Sequence, residues 1–335
     1  MKTDAISIVE AAYDLQGDTR AWVSRLLDRA APELDRGLGV GISIYGPGVR
    51  PEEALVDTRG VDPSRRDAAK VMIAAYPDLF RRLMLEPGPA CTTVAEKMGL
   101  TAEQTRSWRP FVEFVHSVGI RDYVAVVSRD ASGYAVLLSA ASPDGRRPSG
   151  HGRTHWNRIA THISAGARLS RATNGLLAGD IAAGAEAVLS PSGAVAHAEP
   201  QAQGAGAREA IRRAARAIDR ARSSARGNQD EALDLWLGLV SGRWSLVDRF
   251  DTDGRRFVVA CRNDPQVRDP RALTLRERQV LAYSAMGHSN KLIAYTLGLS
   301  NSTVSVLRKR AMRKLALRTH ADVVSLFAPR SPAER

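Results

Sequence analysis

Two periods of apolar and polar residues alternate along the chain. Ile6, Val9 and Tyr13, then Trp22, Leu26 and Leu27, predict one or two helices between Ile6 and Leu34. Gly39–Tyr45 (GVGISIY) reads as a short strand running into the turn Gly46-Pro47-Gly48. Helical spacing returns over Arg65–Leu85, through Ala69, Met72, Ile73, Tyr76, Leu79, Phe80 and Leu83, and again over Thr101–Val118, through Phe111, Phe114, Val115 and Val118. Asp122–Ser128 (DYVAVVS) and Tyr134–Ala140 (YAVLLSA) are predicted strands joined by the turn Asp130–Gly133. A helix over His151–Arg171, with Trp156, Ile159, Ile163 and Leu169 on one side, follows the loop Pro143–Pro148. This order predicts an α+β layer with an antiparallel sheet over residues 1–172.

Residues 176–264 repeat the idea on a smaller scale. Ala187–Ser190 and Ala194–His197 flank the turn Ser190–Gly193, and Trp244–Phe250 and Arg256–Cys261 flank Asp251–Gly254, so two hairpins are expected. Between them, Ala207–Arg226 has Ile211, Ala214, Ala215 and Ile218 on one helical face and seven Arg on the others; a second nucleic-acid surface and a solvated helix face both fit this stretch. Glu231–Val240 reads as a further short helix. Asn263–Arg271, with two prolines and several charges, reads as a linker occupying about residues 265–271.

The pattern is most explicit over 272–330. Thr274 with Glu277 forms a capping box opening a helix to about Ala285, which Gly287 ends. Ser289 caps a helix over Asn290–Leu297 that Gly298 stops, and Ser300 caps a longer one running to about Leu315. A short helix, a glycine turn and a longer helix describe a helix-turn-helix. Val304, Leu307, Ala311 and Leu315 line the inner side of the longer helix, which leaves Ser302, Ser305, Val306, Lys309 and Arg313 facing out. Hydroxyls, cations and one small apolar group are the chemistry that reads base edges and phosphates.

These residues resemble the LuxR-type (GerE-type) DNA-binding domain. The resemblance rests on Leu273-Thr274, Arg276-Glu277, Val280-Leu281, Gly287, Ser289–Lys291, Ile293-Ala294, Leu297, Leu299-Ser300, Thr303-Val304, Lys314-Leu315 and Ala321, and covers about a sixth of the chain. It implies base contact by Ser305, Val306 and Lys309, backbone contact by Thr303 and Lys291, and dimer pairing around Asp322–Phe327. Arg308, Arg313 and Lys314 are further candidates for compensating phosphate charge. The chain has Ser305 and Leu307 where the family usually has Lys and His. Residues 1–172 resemble a GAF-like sensor, and 176–264 a degenerate PAS-like domain, in layout only.

Charge agrees with a polyanion partner. The net charge is +12, and from Val267 onward 13 Lys plus Arg stand against 4 Asp plus Glu. The two cysteines, Cys91 and Cys261, lack zinc spacing and read as buried small hydrophobes in a reduced, cytoplasmic setting. No signal-peptide core or membrane-length apolar run occurs, so no membrane partner is expected. His151, His155 and His162 fall on one helical face without the acid of a metalloprotease motif, and no metal or cofactor is expected from them. Phosphate loops, dinucleotide fingerprints and nucleophile elbows are absent, which argues against an enzyme.

The expected architecture is an α+β sensory region (GAF-like, then PAS-like antiparallel sheets with helices) followed by an all-α four-helix LuxR-type helix-turn-helix domain. The expected function is transcriptional regulation by a homodimer on double-stranded DNA, with an unidentified small-molecule ligand and RNA polymerase as candidate partners. The alternative is a ligand- or redox-sensing adaptor that acts through protein contacts.

Overall fold

A computed structural model describes residues 4–46, 49, 54–174, 185–250, 253–265 and 273–327. In chain order the elements are α1 (Ala5–Tyr13), α2 (Thr19–Leu34), β1 (Val40–Tyr45), β2 (Leu55–Arg59), α3 (Pro63–Ala75), α4 (Pro77–Leu85), β3 (Cys91–Thr93), α5 (Val94–Lys97), α6 (Ala102–Ser107), α7 (Arg109–Phe114), β4 (Asp122–Arg129), β5 (Ala135–Ser142) and α8 (Gly150–Asn174). Then follow β6 (Ala185–Leu189), β7 (Val195–Ala198), α9 (Pro200–Gln203), α10 (Ala205–Arg222), α11 (Gln229–Leu235), β8 (Trp244–Phe250) and β9 (Arg256–Arg262). The last four are α12 (Leu275–Ala285), α13 (Asn290–Leu297), α14 (Asn301–Lys314) and α15 (His320–Phe327).

The first sheet has the order β2-β1-β5-β4-β3, with every pair antiparallel. Its two faces follow the period-two alternation of the central strands. Val124, Val126, Val136 and Leu138 pack with α1, α2 and α8, whereas Ala125, Val127, Ala135 and Leu137 pack with Met72 of α3, Phe80 and Met84 of α4 and Phe111 of α7. The second sheet, β7-β6-β9-β8, joins both expected hairpins through the β6–β9 pair. Ile211, Ala215 and Ile218 of α10 are buried in a core that runs on through α1, α2 and α8 to the first sheet. The arginines of that stretch are partly structural. Arg222 pairs with Asp248 and Glu10, Arg226 with Asp4 and Glu10, and Arg216 donates to the Ser192 carbonyl.

Local expectations differ from the structure at four places, one of them Glu231–Val240, where the helix is Gln229–Leu235 and Trp236 is already extended (φ −98°, ψ 91°). The helix predicted over Arg65–Leu85 is two helices, because Pro77 cannot continue α3 and turns Tyr76 out of helical geometry (φ −130°, ψ 61°). The stretch Thr101–Val118 breaks at Trp108, extended ahead of the Arg109-Pro110 helix start, and ends in a 3-10 turn. Strands β2 and β3 were not expected; β3 is three residues long, too short to show a period. Of the turn Gly46-Pro47-Gly48, Gly46 is described and its carbonyl accepts from Val49 N at 3.1 Å, whereas Pro47, Gly48, most of the linker 265–271 and residues 328–330 lie outside the described residues.

Candidate nucleic-acid interface

The C-terminal helices fold as their caps dictate. Thr274 and Glu277 make the full reciprocal box on α12; the Ser289 side chain accepts from Leu292 N on α13, and that of Ser300 from Thr303 N on α14. Gly298 ends α13 in the left-handed region (φ 62°), which closes the tight turn into α14. Val280, Tyr283, Ile293, Leu297 and Val304 form one small core, and Leu273, Leu281, Ala285, Ala311 and Val323 a second that holds α15. The expected inner side of α14 is therefore the observed one: Val304 and Ala311 are buried, and Leu307 and Leu315 pack against these cores. Leu307 thus serves the head's interior and does not stand on the outward face.

The outer side of α14 presents Ser302, Thr303, Val306, Lys309 and Arg313 to solvent, with Ser305 half-buried among them. Val306 is 47% exposed, an apolar group on an otherwise polar face. Lys291 is exposed on the first turn of α13. Arg308 is half-buried, and its Nη1 reaches the Asn290 amide oxygen at 3.5 Å. Lys314 is exposed but committed: its Nζ donates at 2.7 Å to the buried carboxylate of Glu277, so it neutralises the capping acid. Arg310, not singled out by the apolar spacing, is exposed one turn beyond Val306. The arrangement offers hydroxyl donors, cations and one methyl-sized contact along a single helix, a shape that fits a major groove. On α15, Leu326 is 42% exposed while Val323 is buried.

The head is mounted on the body through α12 and α13, the helices behind the reading face. Leu239 enters the head's first core from the segment after α11. The Tyr295 hydroxyl donates to the carbonyls of Leu233 (2.7 Å) and Trp236 (3.0 Å) and lies 2.9 Å from His162 Nε2. His162 Nδ1 in turn lies 3.2 Å from the Tyr13 hydroxyl, which stacks its ring on Trp236. Thr161 pairs with Thr296 at 3.3 Å, Gln279 donates to the Gly242 carbonyl at 3.2 Å, and Gly88 N donates to the Met286 carbonyl at 3.0 Å. Of these mounting residues only Tyr13 and His162 have a place in the sequence pattern, as a helical apolar position and as one of three histidines on one helix face; Thr161, Gln279, Tyr295 and Thr296 carry no sign of a partner across the chain, and the Gly88 contact is made by backbone. His155 faces Glu33 and His151 faces Asp230, so the three histidines of α8 have separate partners, and no metal-ligating cluster occurs among the described residues. Cys91 and Cys261 are free and buried, with burial raising both thiols to about 11.

Burial pushes His162 down to about 3, and burial together with the nearby Arg129 charge does the same to His288. Both folded values lie below the ordinary histidine value of about 6.5, so the unfolded chain binds more protons between those limits. Stability of the mounting is therefore full above about pH 6.5 and falls on acidification, at up to about 1.4 kcal/mol per pH unit per histidine. Hydrogen exchange of α12 and α13 amides should rise from pH 6 to pH 4 after correction for intrinsic rates. A His162→Phe variant should show a shallower pH dependence, and an unchanged slope would remove His162 as the source.

The geometry defines a helix-turn-helix head carried on a two-sheet α+β body. Residues 271–327 match the family model described as bacterial regulatory proteins, luxR family. A Pseudomonas aeruginosa protein named "Putative transcriptional regulator" is 34% identical over 107 residues, covering 28% of this chain and 51% of that protein. The chain thus spans about half the length of that curated relative. Among solved structures, Escherichia coli SdiA aligns over 92% of this chain and 90% of its own at 11% identity, with a TM-score of 0.32. SdiA in complex with octanoyl-rac-glycerol aligns over 99% and 100% at 13% identity, with a TM-score of 0.31. Overlap at that level bears on neither fold nor function. Residues 271–327 are a LuxR-family regulatory domain, and among the described residues no helix is long and apolar enough to cross a membrane.

Proposed function

We propose that the protein is a cytoplasmic, homodimeric transcriptional regulator that reads a specific DNA sequence through α14. The body, with its GAF-like and PAS-like sheet layers, senses a small molecule and controls the head. The observation that carries the reading is the outer face of α14, where Thr303, Val306, Lys309 and Arg313 stand exposed beside Lys291 while the opposite side is fully used in packing. In this reading Lys309, Ser305 and Val306 meet base edges, with Val306 suited to a thymine methyl; Lys291, Thr303, Arg308 and Arg313 meet phosphates. Two heads, paired through α15 and its exposed Leu326, would span half-sites one helical turn apart, and RNA polymerase is the natural further partner of such a complex. Lys314 contributes mainly by balancing Glu277.

Selection of bound sequences from a random duplex pool, followed by anisotropy titration, tests this. Lys309→Ala should weaken the selected site by about 1–3 kcal/mol, and affinity should fall steeply with salt. An unenriched pool would overturn specific reading and favour an adaptor that works through protein contacts.

A further inference from the structure

A small cavity of about 10 Å³ lies between the body and the head. Its size admits one particle about as large as a water molecule. Ser128, Arg129 and Thr161 line it from the body, and Tyr283, His288 and Thr296 from the head. Three polar atoms of these residues are sealed from solvent and have no partner: Ser128 Oγ, Arg129 Nε and His288 Nδ1. Each can donate a proton to a ligand, His288 as the neutral Nδ1–H tautomer.

The charge around the cavity is also unbalanced. Arg129 is only 7% exposed, and its terminal nitrogens donate to the carbonyls of Glu86 and Gly88 rather than to a carboxylate. Lys97 Nζ donates to carbonyls of the same loop, Glu86 at 2.8 Å and Pro87 at 2.7 Å. The nearby acids are engaged elsewhere: Glu86 with Arg82 at 3.1 Å, and Asp130 with Arg171 at 2.6 Å. A buried guanidinium without a counter-charge is costly, and unsatisfied buried donors add to that cost. A water would satisfy the donors and leave the charge uncompensated. An anion answers both.

We propose that this cavity is a binding site for one monovalent anion of chloride size, held by Arg129 and Ser128 from the body and by His288 from the head. Because its walls come from both parts, occupancy stabilises the seated head. The Gly88 bond to Met286 lies on the same loop that Arg129 and Lys97 hold, so the anion, the loop and the head form one connected support. The proposal does not depend on the head's reading DNA.

Full-length protein is titrated with sodium chloride replacing sodium gluconate at constant ionic strength, gluconate being too large for the cavity. The unfolding midpoint should rise saturably with chloride, and amide exchange at residues 283–288 should slow in parallel. Arg129→Gln should abolish the response, and Ser128→Ala should raise the half-saturating chloride concentration by about tenfold. Crystals grown with bromide should show an anomalous peak between Arg129 and His288. A midpoint that ignores chloride, an equal response in Arg129→Gln, or water alone in the cavity of bromide-grown crystals would overturn the site. If Arg129→Gln fails to fold, Ser128→Ala and the bromide crystals decide it.

Discussion

Gly166→Ala is expected to destabilise the folded protein by about 2–3 kcal/mol, seen as a drop of several degrees in the unfolding midpoint. The reason is the approach of α1 to α8. A methyl group at position 166 would overlap the carbonyl oxygen of Ala12 and lie 2.8 Å from its carbonyl carbon. The obstacle is backbone, which cannot swing aside as a flexible side chain would. Helix α1 must therefore withdraw from α8, and the core shared by the two sheets loosens around Ile8, Ile159 and Ile163. Helix propensity opposes this effect, since Gly to Ala inside a free helix gains about 1 kcal/mol. The sign of the measured change thus separates the two terms. Gly206→Ala in α10 supplies the control, because a methyl there meets nothing within 4 Å. It should stabilise by roughly 0.5–1 kcal/mol. If both variants gained stability, the close approach of α1 and α8 would be wrong.

Gly166 also shows where sequence reading stops. The pattern Trp156, Ile159, Ile163 and Leu169 located α8 and its buried side, yet a glycine inside a helix carries no record of what presses against it. The head was legible almost residue by residue, because caps, glycine turns and an apolar stripe are local signals that Thr274, Ser289, Gly298 and Ser300 each carry. Both hairpins of the second sheet were legible from turn residues for the same reason. The joining of β6 to β9 was not, since pairing between distant strands is decided by packing. The outward residues of α14 followed from periodicity alone, but the commitment of Lys314 to Glu277 required the fold, which brings residues 37 positions apart to 2.7 Å. The mounting of the head was the least legible feature. Tyr295 reads as one more apolar residue in an apolar helix until its hydroxyl is seen to cross to the body.

That hydroxyl sets the second large expectation. Tyr295→Phe keeps the ring and its packing but removes the group shared by the Leu233 and Trp236 carbonyls and by His162 Nε2. Leaving buried polar atoms without partners costs about 1–3 kcal/mol each, although the losses are not additive, so a total of about 2–4 kcal/mol against the seated head is expected. The head's second core does not involve Tyr295 and should persist. The variant should then show a loosened mounting rather than global unfolding. Amide protection in α13 and around Trp236 falls, protection in the first sheet stays, and the solution radius of gyration rises. Tyr295→Phe should also flatten the acid response attributed to His162, because that histidine loses the neighbour that ties it to the head. Exchange rates in α13 equal to those of the unaltered protein would show that Leu239, Thr296 and Gln279 hold the head without the tyrosine. A uniform loss of protection across both sheets would instead show that head and body unfold as one unit. The two outcomes bear on the proposed ligand control, under which a ligand shifts the head only if seated and unseated states differ by an energy that binding can supply. If Tyr295→Phe loosens α13 alone, the hydroxyl's contribution of a few kcal/mol lies within the range over which differential ligand affinity can shift such a balance.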